Sequence, residues 1–175
     1  MAKIIELDAL VVGAGFGGTY QLWKLRNEGY STKLVETGSE FGGIWHWNCY
    51  PGARVDSALP HYQFSMEELW KGFTWTERFP GWQELQRYFK YVADKLDLRK
   101  DTLFNTSVTS ATFDDKEDKW TVKTDNGKTF KVKFLLLNIG FAAKRYIPGL
   151  HWSRQVQRNM VPSIVLAEGR PTYGR

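Results

Sequence analysis

Three glycines and one glutamate carry the first chemical signal in the chain. Gly13, Gly15 and Gly18 follow an apolar run, Leu7 to Val12, and precede a helical pattern that opens near Phe16. This is the G-x-G-x-x-G spacing in the setting that gives it meaning, a strand before and a helix after. Gly13 permits the tight turn, and Gly15 lets the backbone approach a pyrophosphate with no side chain in the way. Gly18 lets the helix pack closely on the strand, so that its first N–H groups and the positive end of its dipole face the phosphates. Glu36 stands 18 residues beyond Gly18, at the end of the next apolar run. There a carboxylate accepts hydrogen bonds from the ribose hydroxyls of an adenosine and repels a 2′-phosphate, so the first site is expected to hold FAD or NAD and not NADP.

The elements that would position these groups read as follows. A helix runs from Phe16 to Glu28, with Gly29 as its C-terminal stop, and a second strand covers Thr32 to Glu36. Together they make a β-α-β unit with parallel strands and a right-handed crossover. Residues 37 to 60 contain five Gly or Pro positions (38, 42, 43, 51, 52) before Pro60 and no clear period. A loop of that length in a compact domain is functional or disordered, and its Trp and Tyr content argues against disorder. His61 to Ser65 reads as a short strand. Trp82 to Leu96 reads as an amphipathic helix, with Trp82, Leu85, Tyr88, Phe89, Val92 and Leu96 on one face.

Strands are then expected at Thr106–Phe113, Lys119–Thr124 and Thr129–Val132, separated by Asp114–Asp118 and by the hairpin signal Asp125-Asn126-Gly127. A separate, buried, parallel-type strand is expected at Phe134–Asn138. A plain NAD domain would alternate helices and strands throughout; a β-meander in the crossover position favours a flavoprotein-type architecture. The fold class is therefore α/β, a three-layer Rossmann-type FAD/NAD(P)-binding domain with a parallel sheet and a β-meander crossover, incomplete at its end.

Composition excludes several other classes. At 175 residues, with 42% hydrophobic and 25% charged residues, the chain is long enough for one globular domain with its own core. Aromatic residues reach 15%, including eight Trp, a density that suits a packed core or a flat conjugated ligand. The net charge of +5 is uneven: four Arg (154, 158, 170, 175) against Glu168 put +3 in the last 25 residues. With no basic stripe and no reader motif, nucleic acid is not an expected partner. A single cysteine, Cys49, excludes an internal disulfide, and its surroundings suggest an inert thiol. His46, Cys49 and His61 match no zinc spacing, so no metal is expected. No apolar stretch reaches the ~20 residues of a membrane span, and the first residues lack a signal-peptide core, which points to the cytoplasm.

The most specific text runs from Phe41 to Asp56. Gly42, Gly43, Trp45, Asn48, Tyr50, Pro51, Gly52, Arg54 and Asp56 match without interruption a G-G-x-W-x-x-N-x-Y-P-G-x-R-x-D segment. On this string, with the glycine turn and Glu36, the chain resembles the Baeyer–Villiger monooxygenases, class B flavoproteins that use FAD and NADPH. Leu136-Leu137-Asn138-Ile139-Gly140 is similar to a variant of the family's A-T-G strand end, and Gly140 to Pro148 follows its usual phrase. The wording is closest to fungal members of secondary metabolism.

The resemblance implies roles residue by residue. Gly13, Gly15, Gly18 and Glu36 would hold the ADP half of FAD, and Val108 would contact adenine through its backbone. Ile44, Trp45 and Trp47 would line the flavin, with Asp56 and Tyr62 beside the isoalloxazine or ribityl chain. Arg54, Val55 and Asp56 would face the docking site of NADPH, with Arg54 and Asp56 as a pair acting in catalysis by orienting the nicotinamide. The implied reaction is NADPH-driven oxygen insertion beside a ketone carbonyl, through a C4a-peroxyflavin, giving an ester or lactone; the implied partners are a small ketone and O2.

The chain departs from the family after Leu150. Members continue into a second dinucleotide turn, yet the only later glycines here are Gly169 and Gly174. Residues 1–150 are therefore expected to be the N-terminal portion of an FAD domain and 151–175 a divergent, irregular tail, with the NADPH domain missing. Two readings stay open at this point. One is a truncated monooxygenase. The other is a non-catalytic remnant that binds flavin or a partner, with a complementing chain among the possibilities.

Overall fold

The computed structural model describes residues 4–141. Their elements, in chain order, are β1 (Ile4–Val12), α1 (Phe16–Asn27), β2 (Thr32–Val35), α2 (Ile44–Trp47), α3 (Glu67–Trp70), α4 (Trp82–Lys95), a 3-10 turn (Arg99–Asp101), β3 (Thr102–Leu103), β4 (Val108–Asp114), β5 (Lys119–Thr124) and β6 (Thr129–Leu137). The expectations for the tail, and for Ala142 to Pro148, lie outside the described residues.

One sheet carries the order β3-β2-β1-β6-β5-β4. β1 pairs in parallel with β2 on one side and β6 on the other, and β3 extends the parallel part beyond β2. β4, β5 and β6 pair antiparallel as the expected meander. Val11 and Leu34 pack on one face against Leu22 of α1 and Phe89 and Ala93 of α4. On the other face Leu10 and Val35 pack with Val122, Phe130 and Val132 of the meander. Helices, parallel strands and meander thus form three layers.

The helix ends follow from sequence. Gly29, at φ +88°, closes α1: its N–H donates to Arg26 O and the Tyr30 N–H to Leu25 O, the paired bonds of a Schellman stop. α4 ends the same way with Asp97 in the left-handed position, where Asp97 N–H donates to Asp94 O and Leu98 N–H to Ala93 O. Arg26 ties the two ends together by donating to Asp97 O at 2.7 Å. α4 buries Leu85, Tyr88, Phe89, Val92 and Ala93 along one stripe, as its periodicity predicts.

Three expectations are corrected. His61 to Ser65 forms no strand; Pro60 and the turn bonded from His61 N–H to Ala58 O interrupt it. The separate strands expected at 129–132 and 134–138 are one strand, β6, because no turn-former stands between Val132 and Phe134 and the pairing with β1 runs on through both halves. The second half is also less buried than expected. β5 pairs with β6 only as far as Val132, which leaves Phe134 at 45% and Leu137 at 62% exposure.

Candidate dinucleotide site

The β1–α1 turn is built by close backbone approach. Gly13 has φ +99°, and its N–H donates to Val35 O at 2.9 Å while Asn138 N–H donates to Val12 O at 2.8 Å. A Cβ on Gly13 would lie 2.4 Å from Asn138 O, and a Cβ on Gly18 only 1.8 Å from Gly13 O. Both positions are closed to any larger residue by the packing of turn, helix and β6. α1 then opens at Gly15 with no side-chain cap and no acidic residue in its first turn. Its leading N–H groups and dipole end are therefore available to an anion.

A second glycine turn faces the first. Gly42 N–H donates to Ala14 O at 3.0 Å, and a Cβ on Gly43, itself at φ +54°, would lie 2.8 Å from Gly15 Cα. Below them Glu36 is buried at the end of β2, at 7% exposure. Its Oε2 accepts from Ala14 N–H at 2.6 Å and its Oε1 from Gly38 N–H at 2.7 Å, so one carboxylate fixes both loops. Each oxygen keeps a further lone pair for a ribose hydroxyl. Val108, the first residue of β4, packs in the same cluster as Val35, next to the strand end that carries Glu36. An uncapped helix start, a side-chain-free approach at Gly15 and a fixed carboxylate fit the ADP half of FAD.

The aromatic string folds onto this frame. α2, which the sequence reading leaves as loop, is a single turn bonded to α4 by Gln86 Nε2, which donates to Trp45 O at 2.9 Å. Trp45 Nε1 donates to the Tyr62 hydroxyl at 2.9 Å, and Phe16 meets Tyr62 edge-on at 5.4 Å between ring centres. Burial raises the Tyr62 phenol above its ordinary value. The structure thus brings Trp45 and Tyr62 together. Ile44 is exposed, and Trp47 turns edge-on to His46 at 5.0 Å.

The expected Arg54–Asp56 pair is not formed. Arg54 Nη1 donates to Glu77 Oε2 at 2.8 Å and to Phe79 O at 3.1 Å, while Asp56 Oδ1 accepts from the Ser57 hydroxyl at 3.3 Å. The reason is local: Arg54 makes an antiparallel bridge to Gly81, which brings the 77–81 segment and Glu77 alongside. Val55 is buried between them, at 4%, while Arg54 and Asp56 are exposed. The half-exposed Arg54–Glu77 pair contributes about 0–1 kcal/mol.

Other side chains missed by the sequence reading shape the site. Asn138 donates through Nδ2 to Gln21 Oε1 at 2.6 Å, tying the end of β6 to α1; its place just after the apolar run was the available signal. Glu84, buried at the start of α4, accepts from Thr76 N–H at 2.8 Å, the Thr76 hydroxyl at 3.0 Å and Arg87 at 2.7 Å through one oxygen. Cys49 donates to His46 O, and burial raises its thiol pKa, consistent with an unreactive group. Among the described residues no group of three or more His, Cys, Asp or Glu side chains could hold a metal, and no helix is long and apolar enough to cross a membrane.

The fold and site define a Rossmann-type dinucleotide-binding domain with a β-meander. Residues 11–74 match the family model described as an NAD(P)-binding Rossmann-like domain. The chain is 48% identical over 145 residues to cyclopentanone 1,2-monooxygenase of a Comamonas species, covering 83% of this chain and 26% of that protein. It is 46% identical over 144 residues to the FAD-binding monooxygenase acrE of Aspergillus aculeatus, covering 82% and 24%. A closed crystal structure of cyclohexanone monooxygenase superposes with a TM-score of 0.81 at 37% identity, over 85% of this chain and 28% of that one. Over more than four-fifths of its length the chain is similar to Baeyer–Villiger and related FAD-binding monooxygenases. It spans about a quarter of the length of these relatives.

Proposed function

We propose that this chain forms the FAD-binding portion of a Baeyer–Villiger-type monooxygenase. The observation that carries the reading is the Glu36 carboxylate, buried and held by Ala14 N–H and Gly38 N–H directly beneath the uncapped start of α1. The α1 N-terminus takes the pyrophosphate, Glu36 the adenosine ribose, and the backbone near Val108 the adenine edge. Trp45 and Tyr62, locked by their hydrogen bond, form an apolar wall that excludes water from the flavin end, with Trp47 and Ile44 on the same turn. The chemistry that FAD supplies when bound is acceptance of hydride from NADPH and activation of O2 for insertion beside a ketone carbonyl. Arg54 and Asp56, exposed on either side of the buried Val55, are the side chains of this segment that would meet a docking nicotinamide. In this reading Arg54 first leaves its exposed pair with Glu77, a small cost.

Residues 1–150 are assigned to this FAD-binding part and 151–175 to a divergent tail. Ketone oxygenation then requires the NADPH-binding portion that the longer relatives carry, in the same polypeptide or from a complementing chain. The test is to purify the 175-residue chain, titrate it with FAD by absorbance and flavin fluorescence, and add NADPH anaerobically. Saturable FAD binding without bleaching by NADPH is the expected result. Failure to bind FAD, with the fold intact by circular dichroism, would overturn the reading.

A further inference from the structure

The aromatic string contains one residue whose place lies at the adenosine end and not at the flavin end. His46 lies against Gly38: a Cβ built on Gly38 would lie 2.7 Å from His46 Cδ2, 3.0 Å from His46 Nε2 and 3.1 Å from Glu36 Oε1. The imidazole and the carboxylate therefore flank the same bare glycine, whose N–H is one of the two donors holding Glu36. His46 is itself held at its backbone, where its N–H donates to Gly43 O at 3.0 Å, and at its ring by Trp47. The second glycine turn thus places a titratable ring across Gly38 from the carboxylate that the first turn depends on.

We propose that His46 is a positioning residue for Glu36, closing the outer side of the carboxylate so that its free lone pairs point to the ribose diol of an adenine dinucleotide. This rests on the FAD reading above and deepens it. A neutral ring on Gly38 is a wall. A protonated ring sets a positive charge across Gly38 from Glu36 and draws the carboxylate away from the ribose hydroxyls, so dinucleotide affinity falls on acidification. The charged groups around His46 are Glu36 at the end of β2, Glu40 in the following loop and Lys90 on α4. Glu40 is itself paired with Arg99 at 2.9 Å. Burial holds the imidazole below its ordinary value, with the two glutamates opposing and Lys90 adding to the shift. The neutral wall is thus the form present near neutrality.

Two measurements test this. In the first, the His46 imidazole is titrated by NMR in the ligand-free wild type and in Glu36→Gln; removal of the carboxylate charge is expected to move the His46 pKa further down. In the second, FAD affinity is measured between about pH 8 and pH 5.5, where wild type is expected to weaken by a few-fold, short of tenfold because the imidazole titrates below its ordinary value. His46→Phe, which keeps a ring on Gly38 without a proton, is expected to show no such slope, whatever its affinity at about pH 8. His46→Asn provides a smaller second variant in case the phenyl ring is not accommodated. An unchanged His46 pKa in Glu36→Gln, or the same pH profile in wild type and a folded His46 variant, would overturn the role of His46 and leave the FAD reading standing. Absence of FAD binding by wild type at every pH would overturn both.

Discussion

At the scale of single residues, the site is defined by atoms that are absent as much as by those present. Gly18→Ala would place a methyl group 1.8 Å from Gly13 O, backbone against backbone with no flexible side chain to yield. Its cost is expected at or above the upper end of the roughly 1–3 kcal/mol typical of overpacking, read as a fall in the denaturant midpoint with loss of FAD binding. Glu36→Gln tests the opposite case, a group that must be present. It sets an amide NH2 against one of the two backbone N–H groups that the carboxylate now satisfies. Leaving that buried donor unpaired is expected to cost about 1–3 kcal/mol, measurable by equilibrium unfolding in the absence of FAD. The glycines and Glu36 were legible in sequence because their spacing encodes the contact. The partner of Arg54 was not, since Glu77 reaches it only through the bridge to Gly81, which no local pattern reports.

At the scale of elements, α4 organises the aromatic loops. Tyr88, fully buried, accepts the Phe64 N–H at 3.0 Å and packs among Phe64, Leu69 and Val92. Burial pushes its phenol up to about 12. A folded pKa above the ordinary 10 means that the unfolded chain loses this proton first, so stability is complete below about pH 10 and declines between about pH 10 and 12. Tyr88→Phe is expected to flatten that alkaline decline, in thermal melts across the range, while losing the hydrogen bond to Phe64. Glu84 plays the matching part at the start of the helix, where Thr76 and Arg87 converge on it. Glu84→Ala removes three hydrogen bonds and is expected to cost about 2–4 kcal/mol, since bonds to a charged acceptor contribute about 1.5–3 kcal/mol each and do not add fully. The loop 74–77 should then be cut faster in limited proteolysis. α4 was legible from its long 3.6-residue period. The single turns α2 and α3 were not, because four residues are too short to display one.

At the scale of the whole molecule, three layers meet along β1, whose flanking strands come from opposite ends of the described chain. β2 follows within one β-α-β unit, whereas β6 supplies residues 129–137 to pair with residues 4–12. The architecture was legible because each strand of the meander carried its own turn signal. The joining of its last strand to β1 was not, because pairing over such separations leaves no mark on local sequence. This parallel pairing also sets the order of events during synthesis. The first strand leaves the ribosome at the start, yet one of its edges has to wait until nearly the whole described chain has emerged. Closing so large a loop before any contact rewards it raises the kinetic barrier. Refolding from denaturant is accordingly expected to be slow for a chain of this length, with amide protons of β6 gaining protection from exchange later than those of α4. In the interval the apolar residues of β1 are uncovered. An exposed apolar edge that must wait for its partner is the kind of surface chaperones cover during translation, and that need is the expected consequence of this topology.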